Sequence, residues 1–322
     1  MGTKEQLLRL LEDNRERHVS GAAMAKAIGV SRNAVWKAVK ALRAEGYAID
    51  AVTNRGYALS QENDLLSPQG IERFLPDSHA FAVTVRKRVD STNAEARRRA
   101  LEGAAEGTVV VAEEQTAGKG RPGKTFFSPA ATGLYLSIVL RPTLAADRGQ
   151  FITCAAAVAC AQAIEQVTGA ESLIKWVNDI YCDGRKVAGI LTEGVVDMES
   201  GHFEHAVLGI GVNVKHREFP KELAGIAGTV FREGEYPSEG RAKLAAAILE
   251  KLRFYCEHIP ERTFYAEYKR RSFVIGRRVK VLSGSLEEEA DVLDLDENCF
   301  LRVRLADGSE RLLSAGEVRI ML

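Results

Sequence analysis

A glycine-rich basic loop set between two apolar, β-prone runs constrains this chain more than any other feature. The loop reads Gln115-Thr-Ala-Gly-Lys-Gly-Arg-Pro-Gly-Lys124. Gly118, Gly120 and Gly123 let backbone come close to a ligand, while Lys119, Arg121 and Lys124 concentrate positive charge in the same stretch. Such a loop suits a phosphate, a carboxylate or both; a solvated basic turn between strands is the plainer alternative. Gly118 to Thr125 also spells G-x-x-x-x-G-K-[ST], the nucleotide phosphate loop, which needs a strand before it and a helix directly after it. The strand is there, as Thr108-Val-Val-Val-Ala112. The helix is not: Phe126-Phe-Ser-Pro129 and Thr132-Gly133 lead into Leu134-Tyr-Leu-Ser-Ile-Val-Leu140, where Pro129 and Gly133 would break a helix and the apolar run reads as a second strand. The phosphate-loop reading fails on this context.

At 322 residues the chain has room for two or three domains. Three segments separate, at 1–63, 64–272 and 273–322. In the first, Leu7, Leu8, Leu10 and Leu11 mark one helix and Gly21 to Ile28 a second. Gly29-Val30 then turns into Ser31, an N-cap for a third helix over Arg32 to Glu45. Val35, Val39 and Leu42 form its inner face and leave Arg32, Asn33, Lys37, Lys40 and Arg43 outward. Two short strands, Tyr47 to Val52 and Gly56 to Leu59, follow. This is the order of a winged helix-turn-helix, in which Ser31, Arg32, Asn33, Lys37 and Lys40 would face DNA and Arg55 would tip the wing. A basic helical module used for packing or dimerisation is the alternative.

After the polar linker Gln61-Glu-Asn-Asp64 and a helix opened by Ser67-Pro68, the middle segment alternates strands with helices over Asn93 to Leu101, Gly149 to Thr168 and Arg241 to Cys256. Its strands (Ala82 to Val89, Thr108 to Ala112, Leu134 to Leu140, Leu173 to Lys175, Lys186 to Leu191, His205 to Val214) are often joined by short connections, which predicts a mostly antiparallel α+β sheet. From Phe273 onward short strands alternate with turns at Gly284, Asp296-Glu-Asn298 and Asp307-Gly308, the pattern of a small β-barrel.

Lys and Arg total 44, as do Asp and Glu, so any nucleic acid must be met by a local basic surface and not by net charge. Residues 20–60 supply one, with six Lys and Arg against Glu45 and Asp50. Five scattered cysteines without C-x-x-C spacing argue against a disulfide framework or structural zinc and fit a reducing, cytoplasmic setting. His202 and His205 read as surface histidines on opposite faces of a strand. The N-terminus, Met1-Gly-Thr-Lys-Glu-Gln, lacks an apolar signal core, and the Ala-rich run Cys154 to Ala161 is too short to span a bilayer, so it reads as a buried helix and no membrane partner is expected.

Two further motifs, Lys175-Trp-Val-Asn-Asp179 and Lys186-Val-Ala-Gly-Ile-Leu191, complete a pattern that resembles a known family over nearly the whole chain: the bifunctional biotin protein ligases that also repress biotin synthesis genes. The basic loop is similar to that family's G-R-G-R-x-G-R, with Lys119 and Lys124 at two arginine positions, which keeps charge and loses bidentate geometry. Lys175 to Asp179 resembles K-W-P-N-D, with Val177 in place of proline. The resemblance implies a class II synthetase-like central domain and an SH3-like C-terminal barrel. It also implies a reaction in two steps: biotin and ATP form biotinyl-adenylate, and biotin then passes to a lysine of an acceptor, the biotin carboxyl carrier subunit of acetyl-CoA carboxylase.

By that resemblance Arg121 and Lys186 carry catalysis. Ser91, Thr92, Asn93, Gln115, Lys119, Gly120, Arg121, Lys186 and Gly189 hold biotin. Gly118, Lys119, Arg121, Lys124, Phe126, Lys175, Asn178 and Asn213 hold ATP or the adenylate, and Asn178 and Asp179 hold Mg²⁺. Plainer readings stand beside several of these: Thr92-x-x-Glu95 is also a capping box, Phe126 is also a core aromatic, and Asn178-Asp179 is also a common turn pair. The adenylate would further act as corepressor, favouring a homodimer on operator DNA. A lipoate-type ligase and a non-catalytic biotin-sensing regulator are the rival readings.

Overall fold

The computed structural model describes residues 2–15, 17–283, 286–314 and 316–320. Met1 and the turn expected at Gly284 lie outside the described residues. The chain opens with α1 (Thr3–Glu12), α2 (Gly21–Ile28) and α3 (Arg32–Ala44), followed by the hairpin β1 (Ile49–Val52) and β2 (Gly56–Leu59). Local chemistry sets these boundaries. The Ser20 hydroxyl accepts from Ala23 N–H, Gly29 ends α2 in the left-handed region at φ 70°, and Ser31 caps α3 by accepting from Ala34 N–H. Leu7, Leu11, Met24, Val35, Val39 and Leu42 meet in a small core of their own. At Gly56 a side chain would strike the Val19 carbonyl oxygen at 2.0 Å, so only glycine lets the wing close against the chain entering α2. The winged helix-turn-helix expectation is met.

The second unit runs α4 (Pro68–Glu72), β3 (Ala82–Arg86), α5 (Thr92–Leu101), β4 (Thr108–Ala112), β5 (Gly133–Leu140), α6 (Gln150–Thr168), β6 (Leu173–Lys175), β7 (Asp179–Cys182), β8 (Arg185–Val196), β9 (Phe203–Asn213), α7 (Gly240–Glu257) and α8 (Tyr265–Arg271). Its seven-stranded sheet has the order β3-β4-β5-β9-β8-β7-β6, and only the β3–β4 pair is parallel. Helix α5 covers one face through Ala96 and Ala100 on Val110, Val139 and Val207; α6 and α7 cover the other. Covered on both sides, β4 and β5 are apolar without alternation, Thr108 and Ser137 excepted, and buried along their whole lengths. Helix α6 matches the expected Gly149 to Thr168 to within one residue, and by length and apolarity alone it could cross a membrane; its residues are instead mostly buried in this core.

One histidine expectation fails. His202 is exposed, but His205 is buried, and among the described residues neither of its ring nitrogens has a hydrogen-bond partner. Alternation along β9 puts His205 on the same face as Val207, under α5, a covering helix that the local sequence does not reveal.

The last unit is a five-stranded antiparallel sheet of β10 (Arg278–Ser283), β11 (Leu286–Leu295), β12 (Leu301–Leu305), β13 (Glu310–Leu313) and β14 (Glu317–Ile320), in the order β13-β12-β11-β10-β14. Among the described residues no ladder joins β13 to β14, so the sheet is open where a closed barrel was expected. It is tied to the middle unit through Cys299, whose carbonyl accepts from Trp176 Nε1 at 2.9 Å and Gln150 Nε2 at 2.7 Å.

The linker is not a loose tether. Asn63 is buried, its Oδ1 accepting from Ala48 N–H and its carbonyl from Arg15. Arg241, 1% exposed at the start of α7, donates to Asp64 Oδ2 (3.0 Å) and O (2.5 Å), to Glu113 Oε2 (2.6 Å) and to the Gly133 carbonyl. Glu113 in turn accepts from Leu66 N–H. On the other side Glu12 of α1, fully buried, pairs with Arg15 and accepts from the Ser67 hydroxyl. Arg9 of α1 pairs with Glu72 at 2.5 Å and Arg15 with Glu239 at 3.2 Å, so the helix-turn-helix module is pinned to the middle unit by ionic contacts as well as by the Glu12–Ser67 bond.

Candidate active site

The glycine-rich loop leaves the end of β4 and folds back on itself. Gly120 N–H donates to the Lys124 carbonyl, Lys124 N–H to Arg121, and Phe126 N–H to Gly118. A side chain on Gly118 would lie 2.4 Å from the Phe126 carbonyl oxygen, so this glycine serves the loop's own closure. Strand β5 follows, as the rejection of the phosphate-loop reading requires.

Beneath the loop lies a cavity of about 590 Å³ on the α5 side of β8 and β9. Its floor depends on two glycines. A side chain on Gly211 would meet the Phe126 ring at 2.6 Å, and one on Gly209 would meet Asn93 Oδ1 at 2.0 Å. Phe126 therefore lies against bare backbone, edge-on to Tyr135 with ring centroids 6.3 Å apart, and still lines the cavity.

The N-terminus of α5 forms one wall. Thr92 donates its N–H and hydroxyl to Gln115 Oε1 at 2.8 and 3.0 Å, and Gln115 Nε2 donates to the Ser128 hydroxyl. Asn93 Nδ2 donates to Glu193 Oε2 at 2.8 Å, and the Ser137 hydroxyl donates to Asn93 Oδ1 at 2.6 Å. The capping box expected from Thr92-x-x-Glu95 does not form. Ser91 is the N-cap residue without a capping side-chain bond, and Glu95 pairs with Arg98 and Arg99. Thr92 lies inside the helix, one position past the place a capping hydroxyl must occupy.

The opposite wall comes from β6, β7 and the start of β8. The Trp176–Val177 peptide is cis. Asn178, buried, donates from Nδ2 to the Ile190 carbonyl at 2.7 Å. Lys186 Nζ stands 2.6 Å from Asp179 Oδ1. Lys119 pairs with Glu193 and Lys124 with Glu317, each at 3.7 Å, while Arg121 donates to the Gly316 carbonyl at 2.7 Å. Six cationic side chains, Lys119, Arg121, Lys124, Lys175, Lys186 and Arg319, thus line the cavity against two carboxylates, Asp179 and Glu317. Burial pushes the Lys175 ammonium below its ordinary range; Asp179 and Glu317 oppose the shift, while Lys186 and Arg121 add to it. Burial likewise lifts the Tyr181 hydroxyl to about 12, keeping it a neutral donor. The surplus of positive charge suits a ligand with several anionic groups.

Of the residues expected to hold substrates, Ser91, Thr92, Asn93, Gln115, Lys119, Gly120, Arg121, Lys124, Phe126, Lys175, Asn178, Asp179, Lys186 and Gly189 all line this cavity. Two do not. Gly118 serves the loop, and Asn213, the last residue of β9, lies outside the lining, its backbone carbonyl accepting from Val230 N–H. Residues missed by sequence reasoning are Tyr181, Leu223 and Ile226 and, from β14, Glu317, Val318 and Arg319. The last three reach the cavity only because the C-terminal sheet docks against the loop. On the helix-turn-helix module, Arg32, Asn33, Lys37 and Lys40 are exposed on α3 and Arg55 on the hairpin turn, with Ser31 exposed at the cap.

Residues 3–58 match a helix-turn-helix domain family (HTH domain), 85–213 the Biotin/lipoate A/B protein ligase family, and 274–321 the Biotin protein ligase C terminal domain. Fold and cavity together therefore define a class: a biotin/lipoate-type ligase body carrying a helix-turn-helix module. The chain is 32% identical to the bifunctional ligase/repressor BirA of Bacillus subtilis (strain 168), over 97% of each chain. It is 29% identical to BirA of Escherichia coli (strain K12), over 83% of this chain and 82% of that one. A biotin protein ligase from Aquifex aeolicus, solved in complex with biotin and ATP, superposes with a TM-score of 0.62 at 25% identity, over 74% of this chain and 98% of that one. The chain belongs to the family of bifunctional biotin ligase/repressors.

Proposed function

We propose that this protein activates biotin with ATP, passes it to a lysine of a biotin carboxyl carrier domain, and represses transcription from an operator when its ligand site is filled. The observation that carries the reading is the single cavity lined by six cationic side chains beside the polar wall of Ser91, Thr92, Asn93 and Gln115. In the first step a carboxylate oxygen of biotin attacks the α-phosphate of ATP and pyrophosphate leaves. Two anions must meet, so Lys119, Arg121 and Lys124 offset their repulsion, and Lys186 turns from Asp179 to the biotin carboxylate. In the second step the acceptor amine attacks the carbonyl of the mixed anhydride and AMP leaves, with no covalent enzyme intermediate.

The wall of hydroxyl and amide groups on α5 suits the ureido ring of biotin, and Phe126, flat on the glycine floor, suits stacking against adenine. Asp179 and Asn178 would hold Mg²⁺. One carboxylate and one amide oxygen fit an ion that keeps several waters and binds mainly through substrate phosphates. Among the described residues no group of three His, Cys, Asp or Glu side chains is placed to hold a metal unaided. When bound, the ion supplies charge neutralisation at the phosphates.

Two copies joined as a homodimer would present two α3 helices to a two-fold operator, in a cytoplasmic protein. The test incubates the protein with biotin, Mg-ATP and a biotin carboxyl carrier domain and follows the acceptor's intact mass, with lipoate in parallel. A biotin-sized gain is expected. No gain with biotin, from folded protein, overturns the reading, and a lipoyl-sized gain assigns the chain to the lipoate ligases.

A further inference from the structure

The outer face of α3 carries one large apolar side chain. Trp36 is 51% exposed, whereas the other larger apolar residues of the helix, Val35, Val39 and Leu42, are buried. Arg32 lies one turn before it and Lys40 one turn after, with Asn33 and Lys37 alongside, so these five share one face. Lys40 Nζ stands 5.5 Å from the centre of the Trp36 ring. No acidic residue occurs between Arg32 and Arg43. The ring belongs to none of the packed clusters of the module.

We propose that Trp36 reads the 5-methyl group of a thymine in the major groove and so sets the sequence preference of the winged helix, while the flanking cations hold phosphates. The proposal rests on the operator-binding reading above. From Arg32 to Lys40 the helix rises about 12 Å, close to the ~12 Å width of the major groove. A helix seated there presents its middle turn to base edges and its ends to the two backbones. Trp36 is on that middle turn. Among the features on major-groove base edges, the thymine methyl is the apolar one, and an indole face complements it where an amine or guanidinium would not. The flanks of the ring, three cations and one amide with no carboxylate, favour a polyanion over a second protein surface.

The experiment selects duplexes from a random-sequence library with the full chain, biotin and Mg-ATP, then replaces each thymine of the selected site by uracil, removing only the methyl. At one thymine per half-site, uracil should weaken wild-type binding by about fourfold, the worth of one buried methyl group. Trp36→Ala should weaken binding to the thymine duplex at least as much and abolish the thymine–uracil difference. It should leave the salt dependence unchanged, whereas Lys37→Ala lowers that slope by about one. The chain has two tryptophans, and Trp176 is 3% exposed in the ligand cavity. With that cavity saturated first, a change in emission on adding DNA reports Trp36. Wild-type affinity and wild-type thymine sensitivity in Trp36→Ala overturn the proposal, as does a site with no methyl-sensitive thymine. If the chain selects no duplex at all, the operator-binding reading falls and this proposal falls with it.

Discussion

Replacing Gly209 by alanine puts a methyl carbon 2.0 Å from Asn93 Oδ1 and 2.8 Å from its Cγ, so the Asn93 amide must move by more than an ångström. Neither partner has an easy way out. Gly209 sits mid-strand between β5 and β8, paired to Ser137 and Leu191, and Asn93 is buried in the first turn of α5. Moving the amide breaks its 2.6 Å bond with Ser137 and its 2.8 Å bond with Glu193. At roughly 1 kcal/mol for each lost bond, with a further penalty for the buried groups left unpaired, the cost comes to about 2–3 kcal/mol. In a unit of this size that lowers the melting temperature by about 5–10 °C. Scanning calorimetry of Gly209→Ala, Asn93→Ala and the double variant checks it. Because the clash needs both side chains, the double variant should melt well above the sum of the two single losses. A Gly209→Ala protein within about 1 °C of wild type, or strictly additive losses, would refute the account of the cavity floor. Biotin titration of the same variants should show Gly209→Ala losing affinity with Asn93→Ala.

Lys186→Ala should slow adenylate formation by about 100-fold or more, the scale seen on removing one electrostatic stabiliser from a reaction site; pyrophosphate release in a single turnover measures it, and an unchanged rate removes its assigned role. Lys175 has its ammonium pKa depressed by burial, so the stability linked to its titration is present above its ordinary value of 10.5 and lost as pH falls through the lower folded value. Near neutral pH the charged group is therefore a burden: Lys175→Met should melt higher than wild type while binding ATP more weakly, and the advantage should shrink as pH approaches 10.5. A melting difference that ignores pH contradicts this. Arg241→Met strands the Glu113 and Asp64 carboxylates and should cost about 3–5 kcal/mol, read as a fall in the urea midpoint.

What the sequence made legible was mostly local chemistry. Ser31, Gly29 and the Val35, Val39, Leu42 spacing each act within one or two turns, and α3 begins where they place it. The loop between β4 and β5 was readable because Pro129 and Gly133 rule out a helix whatever the tertiary surroundings. The cavity's membership came through because its residues fall in a few short motifs. Failures arose where a distant element decides. His205 is buried by α5, Glu317 reaches the cavity by docking of the C-terminal sheet, and the glycines of β9 matter for the Asn93 and Phe126 side chains above them. Strand β7 was missed because Asn178-Asp179 was read as a metal site or a turn pair, although Asp179 pairs with Gly189 across a ladder. Thr92 shows a subtler limit: the capping pattern was present, but the helix begins one residue earlier than the pattern implies, which leaves Thr92 inside it and its hydroxyl free to donate to Gln115.

The Arg241 cluster has a consequence for how operator DNA is measured out. A DNA-binding module on a floppy tether tolerates varied gaps between half-sites, because the tether absorbs the mismatch. Here Asp64 is held by Arg241, Asn63 is bonded to Ala48 and Arg15 of the module, and Arg15 pairs with Glu239 of the body, so the pose of α3 is tied to that of the ligase body. For two such chains joined through their ligase bodies, one inserted base pair rotates a half-site by about 35°, and the protein has no slack with which to follow. Operator spacing then becomes a ruler whose marks are set by how the enzyme halves meet.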